Sequence, residues 1–155
     1  MERKAPLFTP VLIGGCIIVI ISFGIRASYG VFQIPIAEEF GWLRTEFSLA
    51  IAIQNLAWGI GQPIFGAIAD RMGDRKAVVL GAVVYALGLV LSAMSDTPLE
   101  HQTYSWLVGF GVTGTGMGII LAIVGRSASE ENRSMALAIA AAAGSIGQTV
   151  GPPSA

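Results

Sequence analysis

Arg26 stands inside an apolar stretch that runs from about Val11 to Ile34. A guanidinium at the centre of a membrane helix costs about 2.5–3.5 kcal/mol on insertion scales, so it normally faces a cavity or a partner. Ser22, Tyr29 and Gln33 recur with it at helical spacing and share its face. One cation among hydroxyl and amide groups is chemistry suited to a carboxylate. The alternative is an Arg26 that snorkels to the outer interface or pairs with another helix. A second stripe holds Asn55, Gly59, Gln62 and Gly66. Asn55 can hydrogen-bond either a substrate or a neighbouring helix. Gln54 and Trp58 flank it, and the sequence does not orient them. Arg26, Tyr29 and Asn55 are thus the candidate substrate-binding residues.

Other chemistries find little support. His101 is the one histidine and has no cysteine or second histidine nearby, so no metal site is expected. It falls in a connection between apolar runs and reads as a solvated loop residue. Cys16, the one cysteine, lies in an apolar run and reads as an inert small hydrophobe. No serine–histidine pairing and no paired carboxylates at membrane depth occur. No catalytic residue, no cofactor and no enzymatic activity are expected. A formal net charge of −1 gives no case for nucleic acid.

The elements that position these residues follow from composition. Of the 155 residues 54% are hydrophobic and 12% are charged. Soluble proteins carry about 25% charge, so half of that leaves the lipid bilayer as the natural solvent. Five continuous apolar runs emerge, at about 11–34, 47–69, 77–93, 104–124 and 135–155. Each approaches the ~20 residues a spanning helix needs, and continuity favours helices over alternating barrel strands. The expected fold is all-α: a polytopic membrane helix bundle forming one transmembrane domain over residues 1–155. Residues 35–46, 70–76, 94–103 and 125–134 would be the connections. Thr45, or more weakly Ser48, would cap the second helix, and Pro63 would bend it. Trp42, Tyr104 and Trp106 fall near run ends, where amphipathic rings prefer the interface.

The apolar run behind Met1-Glu-Arg-Lys has no small-residue cleavage site and reads as a first membrane helix. Arg3, Lys4, Arg71, Arg75, Lys76, Arg126 and Arg133 fall on one side and only Arg44 on the other. The positive-inside rule then puts the N-terminus and residues 70–76 in the cytoplasm, in a cell's inner membrane. The last run stops at Gly151-Pro152-Pro153-Ser-Ala, inside a span, so a truncated N-terminal fragment is expected.

The turn Gly66-Ala-Ile-Ala-Asp70-Arg71-Met-Gly73-Asp74-Arg75-Lys76 carries the most ordered motif. By residue type, Gly73 allows a sharp reversal, Gly66 would let a helix approach, and the cations are either topological or functional. The order resembles the signature loop between helices two and three of the major facilitator superfamily, Gly-x-Leu-Ala-Asp-Arg-x-Gly-Arg-Lys. Ile68 replaces its leucine and Asp74 a common basic residue. The resemblance implies a conformational latch of Gly66, Asp70, Arg71, Gly73 and Arg75 against the other half of a transporter. Gly147-x-x-x-Gly151-Pro152 is similar to the helix-five Gly-Pro motif of several branches, though Pro153 departs from it. By residue type alone these are a helix-packing seam and a kink.

Phe110 stands roughly where many antiporters of the superfamily carry an arginine, before a Gly-x-Gly stretch like Gly109 to Gly118. Gly24-Ile-Arg26-Ala-Ser-Tyr29-Gly-Val-Phe32, Pro35-Ile-Ala-Glu38-Glu-Phe-Gly41-Trp42-x-Arg44 and Arg133-Ser-Met-Ala-Leu-Ala-Ile resemble the monocarboxylate-transporter-like or oxalate/formate-antiporter-like branches. That implies alternating-access transport of a small organic anion, with or without a coupling ion, and a C-terminal half as partner. The competing expectation is a small or truncated membrane protein without transport activity.

Overall fold

A computed structural model describes residues 6–154, apart from the side chains of Gln33 and Ser154. Six helices follow one another: α1 Pro10–Phe40, α2 Arg44–Met72, α3 Asp74–Ala93, α4 Pro98–Thr115, α5 Met117–Ser127 and α6 Arg133–Ser154. No strand occurs among the described residues. Among the described residues four stretches are long and apolar enough to cross a membrane: Pro10–Phe32, Asp74–Ala93, Pro98–Ser127 and Arg133–Pro153. The fold is an all-α polytopic membrane bundle.

The helix α2 is absent from those four for a compositional reason. Its 29 residues span about 43 Å at 1.5 Å per residue, well beyond the ~30 Å hydrocarbon core. Gln54, Asn55, Gln62 and Pro63 lower its hydropathy instead.

Several boundaries differ from the sequence expectation. The first helix passes through Pro35 and ends at Phe40, where Gly41 turns the chain with φ +66°. The second starts at Arg44, so neither Thr45 nor Ser48 is its cap. The Leu43 N–H donates to Glu46 Oε2 at 2.8 Å, which secures that end instead. The expected 70–76 connection shrinks to Gly73 alone, because residues 70–72 continue α2 and 74–76 open α3. The fourth run begins early, at Pro98, and breaks at Gly116, whose extended backbone separates α4 from α5. Thr97 Oγ1 accepts from Glu100 N–H at 3.3 Å, and Asp96 N–H donates to Glu100 Oε2 at 3.1 Å. That is capping-box chemistry, with proline at the first helical position.

The chain divides into two compact units, Met1–Ser28 with Gly116–Ala155, and Tyr29–Thr115. In the first, α1 packs on α5 and α6. A Cβ at Gly15 would lie 3.0 Å from Ile120 Cγ2, and one at Gly144 would meet Met117 Cε and lie 3.2 Å from Val19 Cγ1. In the second, α4 packs on both α2 and α3. Tyr85, Val108 and Val112 form its apolar centre, with Trp58 and Leu89 against them.

Candidate functional site

Ser22, Arg26 and Tyr29 all lie on α1. Ser22 is buried, and Arg26 and Tyr29 are half-buried. Ser28 Oγ donates to Gly24 O at 2.9 Å, which leaves the α1 backbone bonded locally beside Arg26. Arg26 belongs to the first unit, Tyr29 and Asn55 to the second. Arg3 and Lys4, counted above for orientation, lie outside the described residues, as does the side chain of Gln33.

On α2 the sequence stripe and the packed face are out of phase. Gln54, Ala57, Gly61 and Phe65 are buried, whereas Asn55, Gly59 and Gly66 are exposed and Gln62 is half-buried. Gln54 Nε2 donates to Ser105 Oγ at 3.5 Å, so Gln54 reaches α4. A Cβ at Gly109 would touch Gln54 O and lie 2.6 Å from Ala57 Cβ, and one at Gly61 would lie 2.5 Å from Thr113 Oγ1. Thr113 Oγ1 in turn reaches Trp58 O at 3.2 Å and Gly109 O at 3.1 Å. The close approach expected at Gly66 is not there: a Cβ at Gly66 would meet nothing within 4 Å among the described residues. The physical reason is helical phase. Gly61 lies on the α4 side of α2, and Gly66 faces away from it.

The charged turn is a one-residue reversal. Gly73 adopts φ +92° and ψ 151°, a region closed to residues with a Cβ. Its N–H caps α2 on Ala69 O at 2.9 Å, and its carbonyl accepts from Ala77 N–H at 3.2 Å. Asp70, Arg71, Arg75 and Lys76 are exposed and Asp74 is half-buried. Asp74 lies in the first turn of α3 and Arg71 in the last turn of α2. Both positions complement the helix dipoles. Arg71 also ends an open groove of about 430 Å³ along α2, lined by Pro63, Ile64, Ala67 and Ile68.

Gly147 and Gly151 on α6 face α1 backbone. A Cβ at Gly147 would meet Ile20 O and lie 2.9 Å from Ile20 Cα; one at Gly151 would meet Gly24 O and lie 2.6 Å from Gly24 Cα. Small residues permit this contact in lipid, where packing rather than water exclusion drives association. Pro152 is half-buried in the final turn of α6. Within the second unit, Gly111 meets the Tyr85 backbone and Gly114 meets Gly81 in the same manner. Phe110 is half-buried and stacks on Trp106 at 6.3 Å between centroids.

His101 overturns its sequence reading. It is not in a loop but in the first turns of α4, only 5% exposed. Phe47 stacks on it at 5.4 Å between ring centroids, with Trp42 at 5.6 Å and Tyr29 at 6.5 Å. The overlooked signal was Thr97-Pro98-x-Glu100, which starts α4 early enough to draw His101 into the bundle.

Apolar spans joined by short reversals, with amides on the least apolar helix and a charged single-glycine turn, define a multi-pass membrane protein. Residues 15–155 match the Major Facilitator Superfamily, and the chain belongs to that family, whose members are transporters. It is similar to "Protein SGE1" of Saccharomyces cerevisiae, at 28% identity over 74% of this chain and 20% of the relative. "Azole resistance protein 1" of the same yeast is 29% identical over 74% of this chain and 18% of the relative. "Multidrug resistance protein MdtH" of Yersinia pestis is 30% identical over 64% of this chain and 23% of the relative. The chain thus spans about a fifth of the length of these curated relatives.

Proposed function

We propose that this chain supplies the N-terminal helices of a secondary active transporter of small organic anions, of the monocarboxylate-transporter-like or oxalate/formate-antiporter-like kind. One observation carries the reading: a half-buried Arg26 on an otherwise apolar span. An intramembrane arginine is rare and marks an anion path where it faces a water-filled cavity. Tyr29 and Asn55 are the hydrogen-bonding groups of the same reading. Asp70, Arg71, Gly73 and Arg75, with Gly66, form the latch, and Gly147, Gly151 and Pro152 hold α6 against α1. Transport proceeds by rocking of two helical halves about the cavity, the second half being the partner. The N-terminus and Gly73 lie on the cytoplasmic side of the inner membrane, by the distribution of basic residues.

The names of the relatives favour a second reading, export of azoles or other drugs. Phe110, where drug antiporters of the superfamily often carry arginine, speaks against it. Uptake of mono- and dicarboxylates, and drug resistance, are to be measured side by side with the product of the full reading frame. Arg26→Ala is expected to cut anion uptake by roughly 10–100-fold, the worth of a charge-assisted hydrogen bond of ~1.5–3 kcal/mol, at unchanged membrane abundance. Equal uptake by wild type and variant at matched abundance overturns the anion reading. Drug resistance without anion uptake establishes the second.

A further inference from the structure

His101 is a buried titratable group that the transport reading does not use. Its surroundings define its protonation in unusual detail. Ser95 Oγ donates its one proton to Ser92 O at 2.6 Å. Nδ1 lies 3.3 Å from that Ser95 oxygen and 3.4 Å from Ser92 O. Both neighbours are therefore acceptors toward the ring, so Nδ1 carries the hydrogen. The neutral ring then holds its lone pair at Nε2, which is buried and has no hydrogen-bond partner. Around the ring are the aromatic faces of Tyr29, Trp42 and Phe47.

We propose that His101 is a proton-binding site: Nε2 takes a proton from hydronium, and the resulting imidazolium opens the aromatic cage at the α3–α4 connection. The lone pair gains one N–H bond as a hydronium O–H bond breaks and leaves a water molecule, and no other reactant is consumed. Aromatic faces attract the cation, and two of the three rings lie within the ~6 Å range of that attraction. They do not replace the water or carboxylate that a buried charge requires.

The charged and titratable groups that the sequence places at the His101 end of the packed elements are few. They are Tyr29, Glu38 and Glu39 on α1, Arg44 and Glu46 on α2, Asp96 in the connection, and Glu100 and Tyr104 on α4. Glu46 and Glu100 accept from the Leu43 and Asp96 N–H groups at exposed positions. Opening the cage lets the imidazolium turn toward this acidic, exposed rim. The same movement gives up the Ser92–Ser95–His101 bonds that fasten the α3–α4 connection. The inference goes beyond the transport reading and stands on this geometry alone.

The test uses the single histidine of this chain. The imidazole signals of the 155-residue chain in lipid nanodiscs are followed by NMR between about pH 5 and 8, the range in which histidine charge commonly changes. A one-proton titration is expected. Amide exchange at Ser95 and His101 is compared with His101→Asn at each pH. Each pH unit of acidification should raise the ratio of open to closed forms by up to about tenfold in wild type alone, the slope of one linked proton. A ring that stays neutral throughout overturns the proposal. A ring that titrates while exchange matches that of His101→Asn overturns cage opening. If His101→Asn fails to fold, wild-type exchange that ignores the ring's titration is equally decisive.

Discussion

Gly114 and Gly66 lie on helices of the same unit, and the structure gives alanine opposite effects at the two. At Gly114 a Cβ would sit 2.5 Å from Phe65 Cε1 and 2.6 Å from Gly81 Cα. Ordinary carbon contacts are about 3.5–4.0 Å, so α3 or Phe65 must retreat by about 1 Å. Neither gives way easily, since Gly81 Cα is backbone and Phe65 is itself buried. Overpacking of this kind costs ~1–3 kcal/mol, here near the upper end. Alanine recovers up to ~1 kcal/mol of helix propensity. The net loss is about 2 kcal/mol, or about 30-fold in the folding equilibrium. At Gly66 the Cβ meets nothing within 4 Å, so only the propensity gain of ~0.5–1 kcal/mol remains. Equilibrium unfolding of the chain in mixed micelles titrated with SDS measures both. An unshifted midpoint for Gly114→Ala, or an equal loss for Gly66→Ala, refutes the assigned phase of α2 and α4. A Gly66→Ala transporter that folds as well as wild type but no longer transports puts Gly66 on a moving contact.

Gly73→Ala is expected to cost ~1–3 kcal/mol in the same titration, because φ +92° with ψ 151° is essentially a glycine-only conformation. Gly41→Asn at φ +66° should be nearly neutral, since asparagine tolerates the left-handed region. Ser105→Ala removes the hydroxyl that Gln54 reaches at 3.5 Å. A bond so long is weak, so the loss should be near ~1 kcal/mol, the low end for a buried polar group left unpaired. Gln54→Leu added to Ser105→Ala should restore stability; an additive loss would show that the pair is not coupled.

The helical class was legible because apolar runs and their charged punctuation are properties of composition. Gly73 was legible as a reversal because few residues sit between two long apolar runs. What composition cannot carry is rotation about a helix axis. Asn55 and Gln54 are neighbours in sequence, yet 3.6 residues per turn set them about 100° apart. Only the packed partner decides which one turns inward. Gly109, together with Ala57 and Thr113, makes that choice by admitting the Gln54 backbone. His101 was misplaced for a different reason. An apolar-run criterion starts the fourth helix at Tyr104, whereas its cap chemistry begins at Thr97. Charged and polar first turns hide helix starts from hydropathy while announcing them to capping rules.

The polarity of α2 acquires a sharper meaning from this division. Gln54 is 3% exposed and belongs to packing. It does not explain the polar groups that remain on the other side, Asn55 and the half-buried Gln62, beside Gly59 and Gly66. Membrane proteins turn polar residues to the bundle interior, to water-filled cavities or to other protein. α1, α3 and α6 present exposed Ile, Leu and Val side chains, such as Ile21, Val79, Leu87 and Ile146, that suit lipid. α2 presents amides and glycines between its apolar residues. Length and polarity thus part company in α2: it is long enough to span, and its amides and glycines set it apart from the lipid-suited faces of α1, α3 and α6.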